Sequence, residues 1–194
     1  MDIENIESKK IKFNLDTGFS PNQCSKKRML SDMEGMYNNI KEYRNILQKG
    51  DKIVYEFHDL DINQRSAELC YGTTVVYPGK VGDEYYMTKG HFHEVLDTAE
   101  VYYSLKGQGI LLMENIDGRI EIQEMEPGDS VYVPPGFAHR SINISKNEPF
   151  ITFFVYRADA GHDYKTIENK GFRKLVIERN GTPTIIDNPN WNNK

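Results

Sequence analysis

Residues 88–107 read TKGHFHEVLDTAEVYYSLKG, and the rest of the chain is read outward from them. His91 and His93 are two apart, so on an extended strand both imidazoles leave the same face. Glu100 follows seven positions after His93. A further histidine, His139, stands far downstream in PGDSVYVPPGFAHRSIN, residues 127–143. Three neutral imidazoles and one carboxylate suit a divalent transition metal, with positions left open on an octahedral ion. Iron, manganese, nickel and zinc all tolerate such a shell, and the residues do not choose among them. A zinc ion held for structure alone more often uses cysteines, and Cys24 and Cys70 are remote from these histidines in sequence.

The downstream block carries Gly128, Pro134, Gly136, His139 and Asn143 in a spacing that resembles the second signature motif of the cupin superfamily. The upstream block resembles the first: His91, His93, Glu100 and, after six intervening residues, Gly107. It departs in one respect, because six residues separate His93 from Glu100 where the general motif has three or four. That longer gap, with TKGHFH before it and DAGHDY at residues 159–164, resembles the cupin-type glucose-6-phosphate isomerases of archaea and some bacteria. The likeness is dense over residues 70 to 191 and looser before them.

The resemblance implies an all-β cupin jelly-roll barrel. It also implies a metal-dependent aldose–ketose isomerase interconverting glucose 6-phosphate and fructose 6-phosphate, a step of glycolysis and gluconeogenesis. It assigns one divalent ion per subunit to His91, His93, Glu100 and His139. Glu100 is then the base that moves a proton between C1 and C2, and His162 assists ring opening. Thr74, Thr88, the Gly90 backbone N–H, Tyr156 and Tyr164 match family positions around the phosphate, with Lys89 the nearby cation. Tyr102, two beyond Glu100, shares its strand face and is placed to bind a sugar hydroxyl or to pack the core. Two departures bear on the substrate. Gly136 stands where these isomerases commonly have an aromatic, and Thr98 is small where some relatives are bulkier, so both are expected to widen the pocket. The alternatives are a cupin dioxygenase using the same shell with iron, and a non-catalytic sugar-binding cupin. TKGHFH and DAGHDY speak against the first, and the complete shell against the second. Mannose 6-phosphate isomerisation would be a side activity.

The 194 residues suffice for one domain, expected as an arm and helix over 1–50, a barrel over 51–178, and a C-terminal hairpin strand and tail over 179–194. Apolar residues make up 38% and charged residues 27%, a globular profile. The net charge of −5 argues against nucleic acid and makes an anionic phosphosugar depend on local donors. The opening MDIENIESKK lacks a signal-peptide pattern, and no run has the length of a membrane span, so the expected location is the cytoplasm. With only Cys24 and Cys70, no disulfide framework is expected.

Residues 1–20, with Ile3, Ile6, Ile11, Phe13 and Leu15, read as an edge strand or an arm over the barrel. Such an arm can cover an open sheet edge of a second subunit, and a homodimer is expected. Residues 31–50 read as a helix near the N-terminus, capped by Ser31 and Glu34, with Met33, Met36, Tyr37, Ile40, Tyr43 and Leu47 on one face and Gly50 at its end. From Asp51 onward short strands follow one another. His58 is expected to end the first of them as an exposed or capping residue. Residues 68–93 read as two strands joined by a glycine-rich turn, and Asn180-Gly181 as a tight hairpin.

Overall fold

The computed structural model describes residues 8–21, 25–59, 62 and 64–191. In chain order the strands are β1 (Lys26–Met29), β2 (Ile53–Asp59), β3 (Leu69–Val76), β4 (Lys80–Val81), β5 (Glu84–Tyr85), β6 (Glu100–Lys106) and β7 (Gly109–Asn115). They continue with β8 (Ile120–Met125), β9 (Ser130–Val133), β10 (Phe137–Asn143), β11 (Phe150–Arg157), β12 (Lys174–Arg179) and β13 (Thr182–Asp187). Two α-helices, α1 (Ile40–Gln48) and α2 (Tyr164–Lys170), flank them. The fold is the all-β cupin jelly roll, its ladders running as three sheets rather than one closed cylinder. The first sheet has the order β1-β2-β3-β11-β6-β9, the second β10-β7-β8, and the third β13-β12-β5-β4.

The pleat explains two cores. Tyr102 on β6, Val133 on β9 and Phe154 on β11 pack against Leu111 and Met113 on β7, Met125 on β8 and Phe137 on β10. This is the barrel interior between the first two sheets. The opposite pleat of β7 and β10 presents Ile110, Leu112, Ala138 and Ile142 to a second cluster. There Val81, Tyr85, Phe172 and Val176 come from the third sheet and its approaches, and Ile167 from α2. The second sheet is therefore buried on both faces, which is why β7 and β10 are buried along almost their whole length. Gly72 is obligatory on β3, because a Cβ there would stand 1.9 Å from the His58 carbonyl oxygen.

Several expectations are corrected. The helix expected over residues 31–50 is broken: a 3-10 turn occupies Leu30–Met33 and α1 begins only at Ile40. Gly35, at φ 76°, ends the first turn, and the Asn39 side chain caps α1 by accepting from the Glu42 N–H at 3.0 Å. The Ser31–Glu34 cap does not form, because the Ser31 hydroxyl donates to Asp51 (2.6 Å) while Asp32 takes the Met29 N–H (2.8 Å). The apolar spacing was still informative, since Met33, Met36, Tyr37 and Tyr43 are all buried; Ile40 is 58% exposed. Residues 8–21 form an arm and not a strand, closed on itself by Asn14 and Gly18, with Phe13 against Phe153 and the Thr73 hydroxyl donating to the Gly18 carbonyl. Ile3, Ile6 and Cys24 lie outside the described residues.

His58 does not end β2 but sits buried within it, its ring 4.9 Å from that of Phe19. Residues 68–93 do not make one hairpin. β3 joins the first sheet, and the turn at Gly82 connects the short β4 and β5 of the third. The Asn180-Gly181 hairpin forms between β12 and β13, with both turn residues at positive φ.

Candidate active site

His91 and His139 are brought together by the backbone. The His91 N–H donates to the His139 carbonyl at 3.3 Å and the His139 N–H to the His91 carbonyl at 3.1 Å. The chain is extended at His91 and Phe92, where single bridges reach His139 and Asp163, so His93 falls on the same side as His91. Glu100 opens β6, between Tyr156 of β11 and Val133 of β9. One ligating atom from each of His91, His93, Glu100 and His139 lies within 4.8 Å of the others. Glu100 Oε2 stands 3.1 Å from His93 Nε2 and 3.0 Å from His139 Nε2.

Hydrogen bonds behind the rings set their tautomers. His93 Nδ1–H donates to the Thr98 hydroxyl at 2.7 Å and the Thr98 carbonyl at 3.2 Å, while that hydroxyl donates onward to the Val95 carbonyl at 2.6 Å. His139 Nδ1–H points at the Phe137 carbonyl, 3.3 Å away. Both rings are left with Nε2 turned to Glu100, as ligating histidines require. His91 Nε2 is buried with no hydrogen-bond partner among the described residues, a cost that a bound ion would offset. Burial, then the neighbouring histidines, pushes the His91 pKa well down, so its ring is neutral. Burial alone would raise the Glu100 carboxyl, but His139 and His93 beside it outweigh that and hold it at about 2. Three imidazoles and a carboxylate, converging and buried, fit a divalent transition metal.

A cavity of about 300 Å³ opens from this cluster. Of the residues expected around a substrate, Thr74, Thr88, Gly90, Tyr102, Tyr156, His162 and Tyr164 line it. Lys89 does not: its ammonium pairs with Glu168 on α2 at 2.6 Å. Gly90 holds φ 76°, and a Cβ there would meet the Phe172 ring at 2.6 Å and the His139 carbonyl at 3.0 Å. Arg140 fixes this loop from behind. Its buried guanidinium donates to the Lys89 carbonyl at 2.5 and 3.2 Å and lies over the Phe172 ring at 4.5 Å. The Thr88 hydroxyl accepts from the Ser141 N–H at 3.1 Å, which leaves its own hydrogen to donate. The ring of His162 is 4.4 Å from that of His91 and stacked on Tyr164 at 5.8 Å. Burial brings its pKa down to about 4.

Thr98 and Gly136 do not widen the cavity, since neither lines it. Thr98 is buried behind His93, and Gly136 takes a positive φ in a turn whose N–H donates to the Leu96 carbonyl at 2.8 Å. Sequence reasoning missed Lys26, Arg28, Tyr55 and Ser141, all of which line the cavity. For Lys26, Arg28 and Tyr55 the signal was the alternation of β1 and β2, usable only once their register was known.

No helix among the described residues is long and apolar enough to cross a membrane. A family model described as "Glucose-6-phosphate isomerase (GPI)" matches residues 27–192. The glucose-6-phosphate isomerase of Pyrococcus furiosus is 47% identical over 181 residues, 93% of this chain and 95% of its own. That of Thermococcus litoralis is 46% identical over 181 residues, with the same coverage of both chains. Among solved structures, an oxalate oxidase in complex with the substrate analogue glycolate shares 13% identity at a TM-score of 0.48, over 59% of this chain and 56% of the other.

Proposed function

The chain belongs to the glucose-6-phosphate isomerase family, and we propose that its cavity interconverts glucose 6-phosphate and fructose 6-phosphate. One observation supports this most. The buried cluster of three histidines and a glutamate, with His91 Nε2 unsatisfied, sits at the foot of a cavity lined by hydroxyls.

His91, His93, Glu100 and His139 would hold the divalent ion. When bound, it supplies a Lewis acid that polarises the sugar carbonyl and offsets charge developing on the substrate oxygens. The chain's own residues do the rest. His162, neutral at pH 7 with its pKa near 4, exchanges a proton between O1 and O5 as the ring opens. Thr74, Thr88, Gly90 and Tyr164 supply donors for the phosphate end. Tyr156, opposite Glu100 on β11, and Tyr102, two residues beyond Glu100 on β6, both line the cavity and orient the hydroxyls near the reacting carbons. Arg140 acts only through the Thr88–Gly90 loop that it braces.

Glu100 moves the proton between C1 and C2. A carboxyl held near 2 is a weak base, so this route requires its contacts with His93 and His139 to loosen as substrate enters. The same observation favours a second route, a direct hydride shift in which Glu100 serves as ligand alone. Turnover in D2O separates them: proton transfer puts solvent deuterium at C1 or C2, and a hydride shift puts none. In the proton route Glu100→Gln loses turnover by about 10²-fold or more with metal still bound. Near wild-type activity in that variant discards the assignment.

A further inference from the structure

The cavity wall opposite the histidines carries charge of its own. In the β1–β2 ladder Arg28 stands opposite Tyr55 and Lys26 opposite Phe57, and Phe57 in turn faces Thr74 on β3. All five line the cavity. They share the inner pleat of the first sheet, where three strands, β2, β3 and β11, separate β1 from the strand that carries Glu100. The cavity thus has a metal-ligating end and a cationic end.

The two cations are not equivalent. The Lys26 ammonium is neutralised by Asp59 at 2.8 Å. Arg28 donates to the Lys27 carbonyl at 3.1 Å, and among the described residues no carboxylate pairs with it. Its guanidinium stands 5.7 Å from the Phe57 ring. Tyr55 is the cross-strand partner of Arg28, and Tyr55 and Tyr164 line the same cavity; burial raises the pKa of both hydroxyls, and the charge of Arg28 works against that rise. A half-buried guanidinium beside hydroxyls, with most of its donors unused, is a receptor for an oxyanion. The net charge of −5 gives an anionic ligand no help from the molecule as a whole, so a local cation has to supply the attraction.

The geometry points to Arg28 as the charged anchor of the substrate's phosphate, a residue that the motifs around the histidines and the DAGHDY turn do not reach. This rests on the isomerase reading and adds to it a group that, alone among the described residues lining the cavity, carries an unpaired positive charge to the phosphate end. Arg28 would make a charge-assisted contact with the phosphate in ground state and transition state alike, so its loss acts on KM rather than kcat.

The test is Arg28→Met and Arg28→Gln beside wild type, each metal-loaded, with steady-state kinetics on fructose 6-phosphate and calorimetric titration of inorganic phosphate. Unchanged metal content and thermal midpoint establish that a variant is folded, and Arg28→Gln keeps the test alive if Arg28→Met does not fold. The expected result is a rise in KM of roughly 10–100-fold, kcat within about threefold, and a matching loss of phosphate affinity. Unchanged KM and phosphate affinity overturn the inference, as does a fall in kcat with KM intact. If wild type fails to turn over fructose 6-phosphate, the isomerase reading fails, and phosphate titration still decides whether Arg28 grips the anion.

Discussion

Replacing Thr98 by valine keeps the side-chain shape and removes the hydroxyl that accepts the His93 Nδ1–H at 2.7 Å. The Thr98 carbonyl, at 3.2 Å, stays as a second acceptor, so the ring loses its better partner but not its only one. Partners behind metal-bound histidines typically contribute 10–100-fold in metal affinity, and the surviving carbonyl sets the expectation at the lower end, about tenfold, or about 1.4 kcal/mol. The same hydroxyl donates to the Val95 carbonyl at 2.6 Å, so some loss of thermal stability accompanies the change. Thr98→Ser restores both bonds and should bind metal nearly as wild type does. The assay is competition between stripped protein and a chelator of known affinity, read for the three proteins with one ion. Valine-variant affinity within twofold of wild type would refute the claim that Thr98 sets the His93 tautomer, as would an equal loss in the serine variant.

Gly72→Ala forces a Cβ to within 1.9 Å of the His58 carbonyl oxygen, and that carbonyl is backbone held in the β2–β3 ladder. Thermal unfolding followed by circular dichroism should show a loss of about 3 kcal/mol. Asp163→Ala removes the carboxylate that accepts from the Thr166 N–H at 3.1 Å and from the Thr166 hydroxyl at 2.5 Å, at a cost of about 1 kcal/mol in the same measurement. These bonds, the Thr166 hydroxyl first, lower the Asp163 pKa in the folded protein. The unfolded chain therefore takes the proton first as pH falls, so the cap's contribution holds above about pH 4 and is lost below it; the gap between wild type and variant should narrow over that window.

The convergence of His91, His93, Glu100 and His139 was legible because its signal is local in kind. Two histidines at strand spacing, a glutamate on the following strand and a histidine in a turn-rich block carry their chemistry wherever the fold puts them. The Asn180-Gly181 hairpin was legible for a similar reason, since its two positive φ values are written in two adjacent residues. Arg28 and Tyr55 were not, because only the β1–β2 register turns them toward the site. Lys89 was misread for the same cause: the Thr88–Gly90 loop sends its side chain to Glu168 and away from the cavity. From the sequence Thr98 reads only as a difference in size, because a hydrogen bond to the back of a histidine leaves no trace in spacing. The helix near the N-terminus was overextended, because burial of Met33, Met36 and Tyr37 kept a helical period through a segment that Gly35 breaks.

The proposal stands or falls on whether the His91–His93–Glu100–His139 cluster holds a metal that the isomerase needs. The measurement is turnover of fructose 6-phosphate to glucose 6-phosphate by metal-stripped protein, in an assay coupled to glucose-6-phosphate oxidation, with iron, manganese, nickel and zinc added back separately. Turnover should be negligible without metal and restored by one or more of these ions. Full activity in protein shown to be free of metal would contradict it, and so would no activity with any ion bound at the cluster.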